Sequence, residues 1–434
     1  MNRAALALAG LLLGRIAAAQ DLPQGVQLLS RVRAHMSEEF GRLKSISCLE
    51  TITREHQQPR GKMRPLDTIR LEVLTNGHKE FYASPGDRRF SDDHPMTYAG
   101  SGALSDGLFG SYLKDVLSGI VGADYKGEEN ASGHLLVRYD YRIPPFFSAQ
   151  RISTPEGSGN VGLRGSYWVD PQTYDVVRLV LDADDFPPSL PVKQMTTSID
   201  YGRTTLANGS TVLLPQAAEF RLAKFTGETD HNRFEFTHCR EFGAESTIHF
   251  DGPDSPTPTP AFATASVDDI LRPLPGDLKI AVKLRSTIRD GAAVGTLIEA
   301  IVADNVMSKN SVLIPQGSPV RGRIRRLERY EDPLPYFVVG LEFTEVQVQG
   351  IRYLFYADLV DIGVAPGVER ELTTKNTTTL TVNPLLSGEN SGRQTIDHLS
   401  LPTLPGVAAF FFTSSKLELP QDFQTMWKTR LLKH

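Results

Sequence analysis

One stretch in the middle of the chain constrains the fold more than any other. From Leu163 to Val169, apolar or small side chains alternate with polar or bulky ones, which is the period of two typical of a half-buried β-strand. Asp170-Pro171 then opens a turn, and a second alternating stretch follows from Val176 to Leu181. This pattern predicts a long antiparallel hairpin with one apolar face, and an apolar face must be buried against another layer.

Alternation of the same kind recurs along most of the chain. Asn76-Gly77 and Asn208-Gly209 add the strongest short hairpin signals. The predicted fold class is therefore mainly β, of the α+β type. The predicted strands are 45–55, 68–74, 79–83, 133–143, 149–154, 195–205, 211–224 and 233–250, then 277–284, 295–303, 311–314, 319–329, 336–348, 351–360, 407–412, 416–419 and 426–431.

Two stretches have helical spacing. Apolar residues recur every three or four positions from Leu28 to Leu43, and the mixed charge of the polar side favours a lid on a sheet over a membrane-surface helix. The second helix is predicted from Leu108 to Ile120, with Asp106 as its N-cap and several glycines before it. Those glycines lack a Gly-Lys-Ser/Thr ending, so they do not predict a phosphate-binding loop.

The first 19 residues have the features of a signal peptide. Arg3 is followed by an apolar run too short to span a bilayer, and the small residues at 17–19 predict cleavage between Ala19 and Gln20. A retained membrane anchor is the alternative, but Arg15 interrupts the apolar run. No later stretch reaches the ~18 apolar residues of a spanning helix, so no transmembrane segment is expected in the mature chain. The predicted location is periplasmic or exported, in a Gram-negative bacterium.

The chain has two cysteines, Cys48 and Cys239. An even number of cysteines in an exported chain favours a disulfide. Cys48 lies in the first predicted strand and Cys239 in the last strand of the first half, and such strands can meet when a curved sheet brings its end beside its start. Cys239 is expected to share a strand face with Thr237. The alternative is two buried thiols that never meet.

Residues 251–260 carry repeated prolines and no apolar side chain, which predicts a semi-rigid linker. We divide the chain into a signal peptide (1–19), a first domain (22–250), a linker (251–275) and a second domain (276–434). Within the second domain, residues 362–405 are weakly patterned and are interpreted as a mobile excursion.

Signatures of catalysis are missing from the sequence. It has no metalloprotease, nucleophile-elbow, Walker or Cys-x-x-Cys motif, so we predict no catalytic residues, no metal and no cofactor. His238 beside Cys239 is better interpreted as a strand residue than as a ligand. Asp182, Asp184 and Asp185 are better interpreted as turn and capping residues than as paired catalytic carboxylates.

A basic run includes Arg321, Arg323 and Arg325, which share one face of a predicted strand. We expect all three to face solvent, either as a stripe for lipid headgroups or an acidic partner, or as an ordinary solvated face. The formal net charge of the chain is −5, which gives no reason to expect a nucleic-acid partner.

Gly165-Ser166-Tyr167-Trp168-Val169-Asp170-Pro171, followed by Arg178, resembles the G-x-x-W-x-D-P…R hairpin of the LolA-like family, which includes periplasmic lipoprotein carriers and the RseB and MucB sensors. The resemblance covers roughly residues 25–250. It implies an antiparallel half-barrel with covering helices, whose concave face binds an apolar ligand such as a lipid or an acyl chain. The whole chain also resembles a group of two-domain exported bacterial proteins, through Asp67–Val73 and Cys239–Ser246.

The second half has a resemblance of its own. Residues 312–324, with Pro315, Gly317 and Gly322, resemble the strand-turn-strand of the C-terminal β-barrel in secretion proteins of the TraB/TrbI class. This resemblance implies a small β-barrel domain. The N-terminal membrane helix of those proteins has no counterpart here, so a role in a secretion pore is not carried over.

Two functions follow as hypotheses. The first is a non-enzymatic periplasmic carrier or sensor that holds a lipid or a lipoprotein acyl chain in the first domain. The second is a structural scaffold of the cell envelope, whose β-barrel docks a protein partner.

The domain division predicts where a protease cuts. Limited proteolysis of the folded protein should cleave first in the linker or within 362–405, because these stretches have the least apolar patterning. Early cleavage within 133–250, seen by mass spectrometry of the first fragments, would contradict the division.

Overall fold

The computed structural model describes residues 23–241 and 271–431, apart from short gaps at 44–45, 77–78, 88, 94, 120, 132, 149, 155–156, 309–310, 332–333, 374–376, 383–393, 401–403, 405–406 and 408. The signal peptide with its cleavage site at Ala19 and Gln20, and most of the linker, lie outside the described residues. Within them the fold is mainly antiparallel β with few helices, which confirms the predicted class.

The described part of the first half contains twelve strands, ten of which form one antiparallel sheet in the order β3-β2-β1-β12-β11-β10-β9-β8-β5-β4. β6 and β7 form a separate hairpin. The strands are β1 (Ile46–Gln57), β2 (Arg64–Thr75), β3 (Glu80–Ala83), β4 (Ala123–Ala131), β5 (His134–Ile143), β6 (Arg151–Thr154), β7 (Gly157–Asn160), β8 (Gly162–Val169), β9 (Val176–Asp184), β10 (Val192–Thr205), β11 (Thr211–Lys224) and β12 (Thr229–Glu241).

The predicted central hairpin is β8 and β9. Its turn forms because the Asp170 carboxylate accepts hydrogen bonds from the backbone N–H groups of Gln172 (2.7 Å) and Thr173 (3.2 Å). Gly165 lies where β8 and β9 approach most closely, and a Cβ there would overlap the carbonyl oxygen of Val180. The glycine is therefore required by packing between the strands.

Helix α1 (Gln24–Leu43) confirms the predicted lead helix. It begins directly after Pro23 and buries Leu29, Val32, Met36 and Leu43 against the sheet. Among the described helices, none has the length and apolar character needed to cross a bilayer.

The second helix is shorter than predicted. Helix α2 (Ser111–Leu117) begins after Gly110, so Asp106 is not its N-cap. Gly102 (φ 74°) and Gly107 (φ 84°) adopt left-handed backbone conformations, which keep the preceding stretch out of a helix. The polar strand β4, which has no apolar alternation, was not predicted.

The described part of the second half contains sixteen strands. Eight lie in one sheet in the order β13-β21-β20-β19-β16-β14-β28-β22, and β26 joins β20 to β23 in the same sheet. The strands are β13 (Arg272–Pro273), β14 (Lys279–Leu284), β15 (Ile288–Arg289), β16 (Leu297–Val302), β17 (Val306–Ser308), β18 (Ser311–Ile314), β19 (Pro319–Tyr330), β20 (Tyr336–Val348), β21 (Ile351–Leu354), β22 (Ala357–Ile362), β23 (Val368–Thr373), β24 (Thr377–Val382), β25 (Gln394–Ser400), β26 (Ala409–Phe412), β27 (Glu418–Leu419) and β28 (Gln424–Thr429).

Residues 362–405 are more regular than predicted, since β23, β24 and β25 lie within them. β23 pairs with β26, and β24 pairs with β25. The stretch was interpreted as a mobile excursion because its Thr, Ser and Asn residues give little apolar contrast between strand faces, and its mobility stays a prediction.

The two halves contact each other directly. Val294 of the second half donates to the Thr68 carbonyl (2.8 Å) and accepts from the Arg70 N–H (2.9 Å), which extends backbone pairing from β2 into the second half. Buried apolar residues of both halves form one contiguous cluster. Whether each half folds without the other stays a prediction.

Candidate functional site

One face of the first sheet is covered by two elements of the chain itself. Helix α1 packs against β11 and β4. Residues 99–117, which we call the plug, lie beside it, with Gly110 next to Leu43 of α1 and Phe109 next to Phe236 of β12 (ring centroids 5.9 Å apart). The buried apolar side chains of the plug are Ala99, Leu104, Leu108, Phe109, Tyr112, Leu113, Val116 and Leu117.

A buried carboxylate anchors the plug. Glu80 of β3 accepts hydrogen bonds from the backbone N–H groups of Gly107 (2.9 Å) and Phe109 (2.8 Å), and from the Tyr82 hydroxyl (2.7 Å). The first two bonds satisfy backbone groups just before α2. Glu80 thus holds the irregular part of the plug to the edge of the sheet.

Two further side chains hold the start of the plug. The Asn232 amide of β12 donates to the Ala103 carbonyl (2.6 Å), and Arg54 of β1 donates to the Ser101 carbonyl. Arg54 is itself buried and forms a two-bond ion pair with Asp67. These polar groups share the covered face with apolar residues such as Ile52 and Phe234.

Two buried carboxyl groups near the plug have raised pKa values. Burial raises the pKa of Glu80 to about 7. Burial also raises the pKa of Glu50 well above its usual value, and the negative charges of Glu80 and Asp106 add to the effect. Neither Glu50 nor Glu80 was predicted from the sequence as a site residue. The alternation along β1 could have indicated Glu50, since Glu50 shares the buried face of β1 with Cys48 and Ile52.

Helix α1 is held by its own polar contacts. Buried Glu39 accepts hydrogen bonds from Arg203 (3.1 Å) and from the Leu213 N–H (3.3 Å). Arg203 also forms two hydrogen bonds with Asp175, whose carboxylate contacts His35 at 2.8 Å. Both covering elements are therefore fastened by side chains of the sheet.

Buried apolar side chains beneath these elements form one contiguous cluster. Two cavities within the described residues measure about 70 Å³, between β2 and the end of β19, and about 10 Å³, beside Phe40 and Gly110. Neither approaches the roughly 300–1,000 Å³ of a typical ligand pocket. The buried apolar side chains of the plug belong to the same core cluster as those of the sheet.

The predicted disulfide is confirmed. Cys48 and Cys239 are bonded, with their Cα atoms 4.0 Å apart, and their strands β1 and β12 pair along their lengths. The predicted face of Cys239 needs a correction: Thr237 is exposed, and a β-bulge at His238 (φ 50°) turns Cys239 toward Cys48.

The expectation that three arginines of β19 face solvent is wrong in part. Arg321 is exposed, whereas Arg323 is buried and Arg325 is half-buried. Arg323 donates to the Pro85 carbonyl (2.8 Å) and pairs with Asp87, both in the first half. Alternation along β19 predicted a shared face correctly but could not show that the first half covers part of it.

β19 therefore contacts the stretch that leads into the plug. Arg325 lies over the Tyr98 ring (5.7 Å), and the Tyr330 hydroxyl lies 2.8 Å from that of Ser101. The buried ion pair of Arg326 and Glu328 lies against Gly100, where any Cβ would overlap it.

The candidate catalytic groups have structural roles. Asp182 accepts a hydrogen bond from the Thr196 hydroxyl (2.7 Å), and Asp184 and Asp185 pair with Arg142. His238 is exposed at the bulge. In the part of the chain that the structure describes, no group of three His, Cys, Asp or Glu residues could hold a metal ion.

Two comparisons of the sequence with known proteins found no match. No protein-family model matches the chain, and no curated protein matches it.

Three solved structures align with about half of this chain. A DUF1329 family protein from Desulfovibrio piger is 13% identical with a TM-score of 0.27, covering 52% of this chain and 95% of its own. An outer membrane lipoprotein-sorting protein domain from Vibrio parahaemolyticus is 10% identical with a TM-score of 0.25, and the match covers 51% of this chain and 95% of that domain. A LolA superfamily protein from Nitrosomonas europaea is also 10% identical with a TM-score of 0.25, and the match covers 49% of this chain and 92% of that protein. Identities of this order concern the fold alone. The TraB/TrbI resemblance of the second half stays a prediction.

Of the three arginines that were expected to face solvent, the two that differ most in burial give a matched test. Arg323→Ser should lower the free energy of unfolding by about 1–3 kcal/mol, because it leaves the carbonyls of Pro85 and Gly295 without their donor. Arg321→Ser should change it by less than about 0.5 kcal/mol. Urea unfolding of both variants is the measurement, and equal losses would contradict the assigned burial.

The raised pKa values predict a pH dependence. Between about pH 4.5 and pH 7 the folded protein holds protons on Glu80 that the unfolded chain releases, so stability falls as pH rises through this range. The loss from Glu80 alone is about 3 kcal/mol and is complete above its folded pKa. Glu50 acts in the same direction.

Urea unfolding at about pH 5 and about pH 8 measures this loss. Glu50→Gln should make the decline shallower, because it removes one buried acid and its repulsion of Glu80. Glu128→Gln, on the exposed side of β4, serves as the control and should leave the decline unchanged. A decline in Glu50→Gln as steep as in the native protein would exclude this role for Glu50.

Proposed function

We propose that the first half is a non-enzymatic carrier or sensor for an apolar ligand, such as a lipid or a lipoprotein acyl chain, in the periplasm. The observation that carries the proposal is the plug. An otherwise complete antiparallel sheet has its apolar face filled by a segment with only seven helical residues. A segment with so little regular structure is easier to displace than a strand or a long helix.

The polar anchors of the plug support exchange with a ligand. Glu80, Asn232 and Arg54 each bond to backbone groups within residues 101–109, so these anchors do not depend on the side chains that an acyl chain would replace. An acyl chain would then replace the contacts of Phe109 and Leu113. The disulfide and the predicted signal peptide support an oxidising location such as the periplasm.

Emptying part of the plug tests the proposal. The double variant Phe109→Ala/Leu113→Ala removes two buried side chains and should bind dansyl-undecanoic acid about tenfold or more tightly than the native protein, because the probe no longer competes with them. Fluorescence titration measures the affinity.

The control is Phe410→Ala/Leu419→Ala, which removes one buried phenylalanine and one buried leucine side chain from the core of the second half. It should bind the probe no better than the native protein does. Lipid extraction and mass spectrometry of native protein purified from its own periplasm add a readout that needs no variant. A lipid-free native protein, together with equal probe binding by both double variants, would overturn the carrier proposal.

A second candidate is a structural scaffold of the envelope. It is favoured by the small volume of the two cavities and by the core that the two halves share, since neither feature requires a ligand. A lipid-free protein that co-purifies with an envelope complex would support it.

A further inference from the structure

Three phenylalanines are exposed at one end of the first sheet. Phe146 is 91% exposed, Phe147 is 65% exposed and Phe225 is 72% exposed. Phenylalanine side chains are seldom left in water to this extent, and a group of them at one place indicates a contact surface. We call these three residues the aromatic rim.

The strand register places the rim at a single end. Ile143 opposes Leu163, Gly162 opposes Asp184, and Val192 opposes Lys224, so the loops after β5, β9 and β11 all leave the sheet on the same side. From β5 to β11 there are four strand spacings, so the rim extends over about 19 Å. Phe225 is tied to the neighbouring loop by a hydrogen bond from its N–H to the Pro191 carbonyl (2.9 Å).

The rim side chains are held outward by their loops. The N–H groups of Phe147 and Ser148 both donate to the Pro144 carbonyl, which closes a tight turn (2.9 and 3.0 Å). The rings of Phe146 and Phe147 meet edge to face, 5.2 Å apart, and do not reach the core. Prolines at 144 and 145 restrict the loop that carries Phe146 and Phe147, and prolines at 187, 188 and 191 restrict the neighbouring loop, whose Pro191 carbonyl accepts the hydrogen bond from Phe225.

The charges near the rim are paired with one another. Arg142 contacts Asp184 and Asp185 (3.2 and 3.0 Å), and Lys224 contacts Glu228 (2.8 Å). These two basic and three acidic groups leave an excess of one negative charge, so together they give no strong field of either sign. A partner of this surface is therefore selected by apolar contact and not by its charge.

We propose that the aromatic rim is a docking surface for a lipid bilayer, into whose interfacial region Phe146, Phe147 and Phe225 insert. Exposed aromatic side chains at two points of one sheet end, the Phe146–Phe147 pair and Phe225, lie beside charges that are largely paired, and they suit a fluid apolar layer that needs no shaped pocket. A protein pocket would need them packed into one patch. The inference does not depend on whether the interior of the sheet holds a ligand.

Vesicle flotation tests the proposal with the full-length mature protein. The native protein should float with vesicles of phosphatidylcholine alone, and high salt should not release it, because the contact is apolar. The triple variant Phe146→Ser/Phe147→Ser/Phe225→Ser should lose about tenfold or more in its partition coefficient. Its side chains are exposed, so it should keep the native circular dichroism spectrum.

The control variant is Leu297→Ser/Met307→Ser/Val312→Ser, which removes three exposed apolar side chains from the second half and should float like the native protein. Three results would overturn the proposal: no flotation of the native protein with neutral vesicles, flotation only with anionic vesicles and only at low salt, or an equal loss in the control variant. Capture of a specific protein by the rim, without any flotation, would assign the surface to a protein partner instead.

Discussion

The pairing of β1 with β12 is the constraint on which the first half depends. These strands are the first and the last of the sheet in sequence, and eleven paired positions from Ile46 to Gln57 join them. The pairing places β2 and β3 on one side of the seam and β11 to β4 on the other, so that a single continuous face is formed. The disulfide reinforces the seam at one end. In the entropic model, cross-linking residues 191 apart in sequence stabilises the folded state by roughly 5 kcal/mol.

The covered face combines apolar packing with a few buried polar groups. Glu80, Arg54 and Asn232 would be costly to bury alone, and each bonds to a partner in the plug or beside it. The second half contributes to the same arrangement, since Arg323, Arg325 and Tyr330 of β19 contact residues 85–101. The position of the plug is consequently set from both sides, by the sheet beneath it and by the neighbouring half.

Local patterns in the sequence predicted the elements, and most errors concern relations between elements. Alternation and the Asp170 turn predicted the central hairpin, and apolar spacing predicted α1. The meeting of the first and last strands was also predicted. The bulge at His238 was not predicted, because a single residue with a left-handed backbone conformation does not change the apolar pattern of the sequence. The burial of Arg323 was missed for a different reason: alternation tells which residues share a face but not what covers it.

The disulfide has a topological consequence for the two covering elements. It closes residues 48–239 into a covalent macrocycle. The plug is an arc of this macrocycle, joined to it at both ends, so it can move outward only if both flanking connections bend. Helix α1 precedes Cys48 and lies outside the macrocycle. Displacing α1 therefore leaves the path of the macrocycle unchanged, whereas displacing the plug changes that path without opening the ring.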